Sequence, residues 1–285
     1  MPELPEVETV RRGIARLVCH QQLRRVTVLA AKSWRVKASE QADLVGATLE
    51  SVSRRGKLLI MQFSSGQALL CHLRMTGQLV WRGAENWGAG HPNESFVGEL
   101  PDNSTRVILE FSQGILYFND QRKFGFMLVW PIAQLNEFPF VKKLGPEPFA
   151  TAALPEFIRR VRRHSKTTIK AAILNQSVVA GVGNIYADEG LYRAGIRPMT
   201  VVQAVDDAQL AKLYRAIAAV MRHSIAAGGS SMRNYVQADG SRGDYLDLFA
   251  QVFNRAGQPC RQCQTEIVKT RVAGRGTYYC PKCQS

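Results

Sequence analysis

The sequence predicts an α+β fold: a short leading helix, an antiparallel β-sandwich or barrel, a helical region and a C-terminal four-cysteine module. Three observations support this prediction. Short β-branched and aromatic segments fill residues 23–130, apolar residues recur at helical spacing beyond residue 150, and four of the six cysteines form two Cys-x-x-Cys pairs near the end. With 285 residues, the chain is more plausibly two domains than one.

The first element is an amphipathic helix expected over residues 5–18. Pro5 falls in the first turn, where the missing N–H removes no helical hydrogen bond. Glu6 and Glu8 place negative charge at the positive end of the helix dipole.

The strands that follow are expected to be short and antiparallel. Gly and polar turns such as Ser64–Gly66 and Ser112–Gly114 separate them, which favours a sandwich or barrel over βαβ units. Residues 83–103, rich in Gly, Pro and Asn, are expected to form a long loop. Examples of the predicted strands are Leu23–Ala30, Lys57–Phe63, Ala68–Leu73, Thr105–Phe111, Ile115–Phe118 and Phe126–Trp130.

The pattern changes to helices after residues 142–150, whose two prolines and one glycine mark a linker. Helices are expected over 154–163, 167–175 and 206–227, and Gly228-Gly229 ends the last of them. Residues 228–244 are then expected to form a mobile loop.

The cysteine spacing predicts one structural zinc ion. Two Cys-x-x-Cys pairs separated by sixteen residues fit a zinc ribbon with four thiolate ligands and no open coordination position. Two disulfides or a redox pair are the alternative, but the N-terminus has neither the basic nor the apolar region of a signal peptide. Cys19 and Cys71 are expected to be buried thiols. The four predicted ligands are Cys260, Cys263, Cys280 and Cys283.

The charge indicates an anionic partner. Lys and Arg number 37 against 23 Asp and Glu, a net charge of +14. Nucleic acid is the first candidate and an anionic membrane surface the second. A hydrophobic content of 46% excludes a disordered chain, and no apolar run is long enough to cross a membrane. Residues 151–170 and 255–285 each hold six cations and one acid, which favours a surface that follows phosphates; for the first cluster a solvated helix face is the alternative.

Common catalytic signatures are absent, which leaves the N-terminus as the candidate site. The chain has no His-Glu-x-x-His motif, phosphate loop or dinucleotide fingerprint. If Met1 is removed, Pro2 becomes a secondary amine that can attack an aldehyde carbon and form an iminium. Glu3 and Glu6 could then transfer protons. The pattern alone favours the alternative that Pro and Glu simply cap the helix.

Several motifs occur in a family-specific order. They are MPELPEVETVRRGI, RRGKLLI, HLRMTGQL, NDQRKFG, LGPEPF, AGVGNIYADEGLYRAGIRP and the four-cysteine ribbon. Together they resemble the formamidopyrimidine-DNA glycosylases, bacterial base-excision-repair enzymes, from residue 1 to 283. The resemblance implies a catalytic β-sandwich (1–141), a helix–two-turn–helix domain with a lesion loop (142–250) and a zinc ribbon (251–285), with DNA between the two halves.

The resemblance also implies a reaction on double-stranded DNA that contains oxidised or missing bases. A damaged purine, 8-oxoguanine or a formamidopyrimidine, is flipped out of the duplex. Pro2 attacks C1′, the base leaves, and β- and then δ-elimination cleave the strand. Glu3 matches the general acid/base and Glu6 its support. Lys57 matches the lysine of the lyase chemistry, and Arg275 the arginine that grips the phosphate beside the lesion in the δ-elimination step.

The DNA contacts are implied in the same way. Asn184 matches a phosphate-binding asparagine, although a plain helix N-cap is the alternative. Three residues match those that fill the space left by the flipped base, and for the two apolar ones ordinary core is the alternative. Those three are Met75, Arg122 and Phe124; Lys166 and Ser165 match residues that bind the DNA backbone.

Two departures from the family pattern affect lesion recognition. Asn103, or His91 in its place, stands where the family has a DNA-contacting histidine. The loop over the flipped base reads Gly243-Asp244-Tyr245-Leu246 instead of ending in Gly-Tyr-Phe. Two other functions stay open: an endonuclease VIII-type enzyme for oxidised pyrimidines, and a non-catalytic DNA-binding protein with a zinc ribbon. We expect a monomer in the cytoplasm that associates with the nucleoid through DNA.

Overall fold

The computed structural model describes residues 2–91, 94–229 and 249–285. The chain divides into two compact units. The first contains the described residues of Met1–Lys142 and Gly228–Gly243, and the second those of Lys143–Ala227 and Asp244–Ser285. Each unit is described by itself.

Helix α1 (Leu4–Leu17) opens the first unit, one residue earlier at each end than predicted. Its first turn is closed by a capping box in which the Glu3 side chain accepts the backbone N–H of Glu6, and the Glu6 side chain accepts that of Glu3. The capping interpretation of this segment is therefore confirmed.

Two antiparallel sheets form the body of the first unit. One has the order β1-β7-β8-β5-β6 and the other β2-β3-β4-β9, and a short helix α2 (Ala38–Leu44) follows β1. A single buried apolar cluster contains side chains of both sheets and of α1, so the predicted sandwich is confirmed. The strands are β1 (Leu23–Val28), β2 (Leu49–Arg55), β3 (Leu58–Phe63), β4 (Gln67–His72), β5 (Gly77–Gly83), β6 (Trp87–Gly90), β7 (Thr105–Phe111), β8 (Gly114–Asp120) and β9 (Phe126–Pro131).

The prediction of a long loop over residues 83–103 is partly wrong. This segment contains strand β6, which pairs with β5, and a 3₁₀ turn at Glu94–Phe96. The strand forms because Trp87 packs on α1: a Cβ atom built on Gly13 would lie 1.9 Å from Cζ2 of Trp87. A tertiary contact thus overrides the weak strand propensity of a Gly-rich segment.

The outer face of the four-stranded sheet is covered by the end of the first unit. Helix α3 (Pro139–Lys142) and the 3₁₀ segment before it, Ile132–Glu137, pack their apolar side chains over β3 and β4. This layer ends at the predicted linker.

The described residues of the second unit form four α-helices and a hairpin. The helices are α4 (Leu154–Arg162), α5 (Ile169–Leu174), α6 (Asn184–Ala194) and α7 (Asp207–Ala226). Helices α4, α5 and α7 confirm the three predicted helices, although α4 ends one residue earlier than predicted and α5 and α7 are shorter at both ends. Strands β10 (Val268–Val272) and β11 (Arg275–Tyr279) form an antiparallel hairpin. In the part of the chain that the structure describes, no helix is long and apolar enough to cross a membrane.

Candidate active site and nucleic-acid interface

The predicted nucleophile lies at the buried start of α1. Pro2 is buried, and Glu3 and Glu6 are each 2% exposed. The backbone N–H of Glu3 donates to Oε2 of Glu6 at 2.7 Å. Capping therefore fixes both carboxylates immediately after Pro2, so the capping role and a chemical role are compatible.

The segment after α7 returns to this helix start. Thr9 donates its hydroxyl to the carbonyl oxygen of Gly228 at 3.1 Å. Gly229 has a φ of +95°, and a Cβ atom there would lie 3.5 Å from Cγ of Glu6. The residues that begin the predicted lesion loop thus lie beside Glu6. The Gly243–Leu246 part of that prediction lies outside the described residues.

A group of arginines holds α1 on strand β2. Glu8 is 8% exposed and accepts hydrogen bonds from Arg11, Arg12 and, at 2.9 Å, from Arg54 of β2. Burial raises the pKa of Glu8, but hydrogen bonds from Arg11 and Arg12 lower the pKa by more than burial raises it. The pKa of Glu8 therefore lies below its ordinary value. This network was not predicted from the sequence.

Lys57 lies in the turn between β2 and β3, not at the start of a strand. Arg55 pairs with Leu58, so Gly56 and Lys57 form a two-residue hairpin turn, and Gly56 has a φ of +58°. Lys57 is only 7% exposed. Lys57 is therefore not a strand-edge lysine that faces water, which is what the sequence position alone would suggest.

His72 is a neighbour of Lys57 that the sequence analysis missed. It lies opposite Leu58 across β3 and β4 and stacks on Phe126 at 5.9 Å. Its Nδ1 accepts the backbone N–H of Arg74 at 3.0 Å. Burial first, and then the charges of Arg74 and Lys57, lower the pKa of His72 to about 3, so the ring is neutral at physiological pH. Its place as the first residue of the HLRMTGQL motif was the only sequence signal.

Two loops that carry predicted DNA contacts are joined by one carboxylate. Asp120, fully buried at the end of β8, accepts the hydroxyl of Thr76 and the backbone N–H groups of Arg122 at 3.2 Å and Gly125 at 2.7 Å. The Thr76 hydroxyl also accepts the N–H of Arg122 at 3.0 Å. Met75 precedes Thr76 and is half-buried. These hydrogen bonds therefore fix the position of the turn that carries Met75 relative to the loop that carries Arg122.

Phe124 is an exposed aromatic residue at the tip of this loop. Its side chain is 47% exposed, and the guanidinium carbon of Arg122 lies 4.9 Å from its ring centroid. The alternative that Phe124 belongs to the core is wrong. An exposed ring held beside a cation is the kind of wedge that can enter a base stack.

Asn103 and His91 have different surroundings. Asn103 lies exposed in the turn before β7. His91 follows β6, and its backbone N–H donates to the carbonyl oxygen of Gly77 at 3.1 Å. Burial is the main cause that lowers the pKa of the His91 ring below its ordinary value, while the Asp120 carboxylate acts in the opposite direction.

In the second unit, Asn184 contacts the hairpin. Gly183 is the N-cap of α6, so the N-cap alternative for Asn184 is wrong. Its Nδ2 donates to the carbonyl oxygen of Gly276 at 2.9 Å. Arg275, the residue before Gly276, is exposed at the start of β11. The structure thus brings Asn184 close to the strand of Arg275.

The first basic cluster is only partly available to an external anion. Arg159 and Arg160 both pair with Glu156, and Arg162 pairs with Asp207. For these three arginines the solvated-face alternative is the better description. Lys170, counted in this cluster, is fully buried, whereas Arg163 and Lys166 are exposed and Ser165 is half-buried.

The four ribbon cysteines fit a tetrahedral zinc ion. Their sulfur atoms all lie within 4.8 Å of one another, with Cys260 to Cys283 at 3.9 Å and Cys263 to Cys280 at 3.5 Å. Four Zn–S bonds of about 2.3 Å require sulfur separations of about 3.8 Å, whereas a disulfide requires about 2.05 Å. Since all four are free thiols, the disulfide alternative is wrong. Cys71 is buried as predicted, but Cys19 is only partly buried.

Three family models cover most of the chain. Residues 1–127 match the formamidopyrimidine-DNA glycosylase N-terminal domain, residues 144–236 its H2TH domain, and residues 257–285 the zinc finger found in FPG and IleRS. The chain belongs to the formamidopyrimidine-DNA glycosylase family. It is therefore an enzyme of DNA repair with one structural zinc site, and the predicted α+β fold is confirmed.

Relatives of similar length agree with this assignment. The formamidopyrimidine-DNA glycosylase of Desulfitobacterium hafniense is 37% identical over 100% of both chains, and that of Enterococcus faecalis is 38% identical over 100% of this chain and 97% of its own. A Lactococcus lactis FPG mutant in complex with Fapy-dG containing DNA has a TM-score of 0.87 and 32% identity over 100% of both chains. A Lactococcus lactis enzyme non-covalently bound to an AP site containing DNA has a TM-score of 0.84 and 30% identity over 99% of both.

Proposed function

We propose that the chain removes oxidised purines, namely 8-oxoguanine and formamidopyrimidines, from double-stranded DNA and then cleaves the strand at the abasic site. The observation that carries this proposal is the buried Pro2-Glu3 pair at the capped start of α1, with Glu6 bonded to the Glu3 backbone. Family membership supports the class of reaction. The unit that holds Pro2 also carries the exposed Arg122–Phe124 pair suited to a distorted duplex.

The chemistry starts at the Pro2 nitrogen after removal of Met1. The nitrogen attacks C1′ of the damaged nucleotide, the bond from C1′ to the base breaks, and the base leaves with the bonding electron pair and takes up a proton. Opening of the sugar ring leaves an iminium between Pro2 and C1′. Glu3 supplies the proton for ring opening and accepts one later, while Glu6 holds the Glu3 backbone.

Strand cleavage follows from the iminium as an electron sink. Loss of a proton from C2′ expels the 3′ phosphate, and a second elimination expels the 5′ phosphate. Lys57, beside neutral His72, is proposed to serve this lyase stage. In the second unit, Arg275 and Asn184 are proposed to hold the phosphates next to the lesion, since a guanidinium and an amide both donate to phosphate oxygens.

DNA distortion is proposed to depend on the loops joined by Asp120. Met75 and Phe124 would enter the space left by the flipped base, and Arg122 would meet the orphaned partner base. Lys166 and Ser165 would bind the backbone, and Asn103 or His91 would replace the family's histidine. The basic balance of the chain would then make affinity fall steeply with salt.

The zinc ion would stabilise the ribbon without taking part in the reaction, because four thiolates leave no open coordination position. Cys260, Cys263, Cys280 and Cys283 would hold it. We propose that the chain acts as a monomer on cytoplasmic, nucleoid-bound DNA, with the three-part organisation 1–141, 142–250 and 251–285.

A comparison of excision from two duplexes with different lesions tests the proposal. Purified zinc-loaded protein is incubated with one duplex containing 8-oxoguanine opposite cytosine and another containing thymine glycol. Faster release of 8-oxoguanine with cleavage on both sides of the lost nucleoside is expected. Faster release of thymine glycol would favour the endonuclease VIII-type alternative, and no cleavage of abasic DNA would favour a non-catalytic DNA-binding protein.

A further inference from the structure

Two opposite charges are completely buried in the second unit. Nζ of Lys170 on α5 lies 2.7 Å from Oδ1 of Asp188 on α6, and both side chains are 0% exposed. Removing two charges from water costs several kcal/mol each, so such a pair is stable only when further hydrogen bonds satisfy both groups. The partners of these hydrogen bonds indicate what the pair does.

Three of these hydrogen bonds reach strand β11. Lys170 Nζ donates to the hydroxyl of Thr277 at 2.7 Å and to the carbonyl oxygen of Gly276 at 3.2 Å. Oδ2 of Asp188 accepts the backbone N–H of Tyr278 at 3.0 Å. The pair therefore holds three successive residues of β11 on the two helices.

One carbonyl group connects the pair to the proposed phosphate contacts. The oxygen of Gly276 accepts both Lys170 Nζ and, at 2.9 Å, Nδ2 of Asn184, the first residue of α6. Gly276 directly follows Arg275. The position of the Arg275 backbone and the orientation of the Asn184 amide thus depend on the same buried contact.

We propose that the Lys170–Asp188 pair is a positioning device that fixes Arg275 and Asn184 relative to each other, so that both can bind the phosphates of one DNA strand. This inference rests on the proposed function. The pair touches neither substrate nor zinc ligands and acts through the two phosphate-binding residues. A rigid pair of donors loses less entropy on binding than two independent side chains.

A double-mutant cycle separates positioning from general stability. Asp188→Asn keeps an acceptor for Tyr278 but removes the charge, and its effect is measured with and without Arg275→Ala. The readout is the Kd for a duplex with a tetrahydrofuran abasic-site analogue. In the otherwise wild-type protein, Asp188→Asn is expected to raise the Kd about tenfold. In the Arg275→Ala background it is expected to raise the Kd less than about threefold, because the effects of coupled residues are not additive. Equal losses in both backgrounds would overturn the proposal.

Asp207→Asn is the matched control, since Asp207 pairs with Arg162 but its side chain is 66% exposed. It is expected to change the Kd less than twofold. Zinc content checks the fold of every variant. If Asp188→Asn loses zinc, the double variant Lys170→Met/Asp188→Leu replaces the pair with apolar groups. A variant of the pair that retains zinc but binds DNA more weakly, with a smaller loss in the Arg275→Ala background, supports the positioning role. A variant that retains wild-type affinity contradicts it.

The wild-type protein distinguishes this inference from the proposed function. If the wild type cleaves an abasic duplex but the losses of affinity in the double-mutant cycle are additive, only the positioning role is rejected. Failure of the wild type to cleave abasic DNA would reject the proposed function and, with it, the basis of the inference.

Discussion

Thr76 donates its hydroxyl to the buried carboxylate of Asp120, and this bond joins the turn after β4 to the loop after β8. The same hydroxyl accepts the backbone N–H of Arg122. The two chain segments that carry Met75 and Phe124 are far apart in sequence, so their spacing depends on this contact. A wedge made of two loops requires such a fixed spacing.

Thr76→Val should therefore impair processing of damaged duplexes. The substitution removes both the donor and the acceptor while keeping the side-chain shape, and leaving Asp120 short of a partner should cost about 1–3 kcal/mol of stability. We expect a slower single-turnover excision of 8-oxoguanine from duplex DNA, with cleavage of a single-stranded abasic oligonucleotide nearly unchanged. Thr151→Val, at an exposed site, is the control. Equal slowing on both substrates would contradict the loop-spacing role.

Phe124→Ala should separate function from stability. Because the ring is 47% exposed, its loss should change the free energy of unfolding by less than about 0.5 kcal/mol. Removal of the wedge should nevertheless slow excision from duplex DNA about tenfold or more. Val97→Ala, at a side chain 77% exposed, should alter neither quantity. A large loss of stability in Phe124→Ala without a loss of activity would assign the ring to the core.

His72 should make the protein sensitive to acid. Burial holds its pKa near 3, whereas the unfolded chain titrates near the ordinary 6.5. Below pH 6.5 the unfolded state binds the proton and the folded state does not, so stability falls by up to about 1.4 kcal/mol per pH unit until pH 3. Urea unfolding at pH 7.5 and pH 5 should show a smaller pH difference for His72→Gln than for wild type.

His20→Asn is the control for this measurement because His20 is exposed. Its pH difference should equal that of the wild type. If His72→Gln keeps the full wild-type difference, the buried neutral ring is not a source of the acid sensitivity.

Loss of zinc should abolish DNA binding. Structural zinc sites supply folding free energy, and strand β11, which begins at Arg275, ends directly before the third ligand, Cys280. Cys263→Ser should lower zinc content and raise the Kd for an abasic-analogue duplex, while Cys19→Ser should leave both unchanged. Zinc release is followed with a chromogenic chelator. Wild-type affinity in a zinc-free Cys263→Ser protein would contradict this role.

The sequence predicted elements that depend on local patterns. Capping residues located α1, turn residues located the hairpins, and cysteine spacing located the metal site. It did not predict strand β6, because Trp87 lies in a Gly-rich segment and the strand depends on packing against Gly13. Nor did it identify His72, whose environment depends on the pairing of β3 with β4.

Charge was harder to interpret than pattern. Arg159 and Arg162 looked like phosphate contacts, but Glu156 and Asp207 neutralise them. Lys170 looked like a surface cation until the fold brought Asp188 to it. The charge of a residue can be read from the sequence, whereas its ion-pair partner is determined by the tertiary structure.

The central claim is that the nitrogen of Pro2 forms the covalent bond to the sugar. The decisive measurement is mass spectrometry of the complex that borohydride traps on abasic-site DNA, after digestion. We predict that the intact protein lacks Met1 and that the adduct lies on the N-terminal peptide at Pro2, with trapping strongly reduced in Pro2→Gly. An adduct on Lys57, or undiminished trapping when the N-terminus is blocked, would contradict the account.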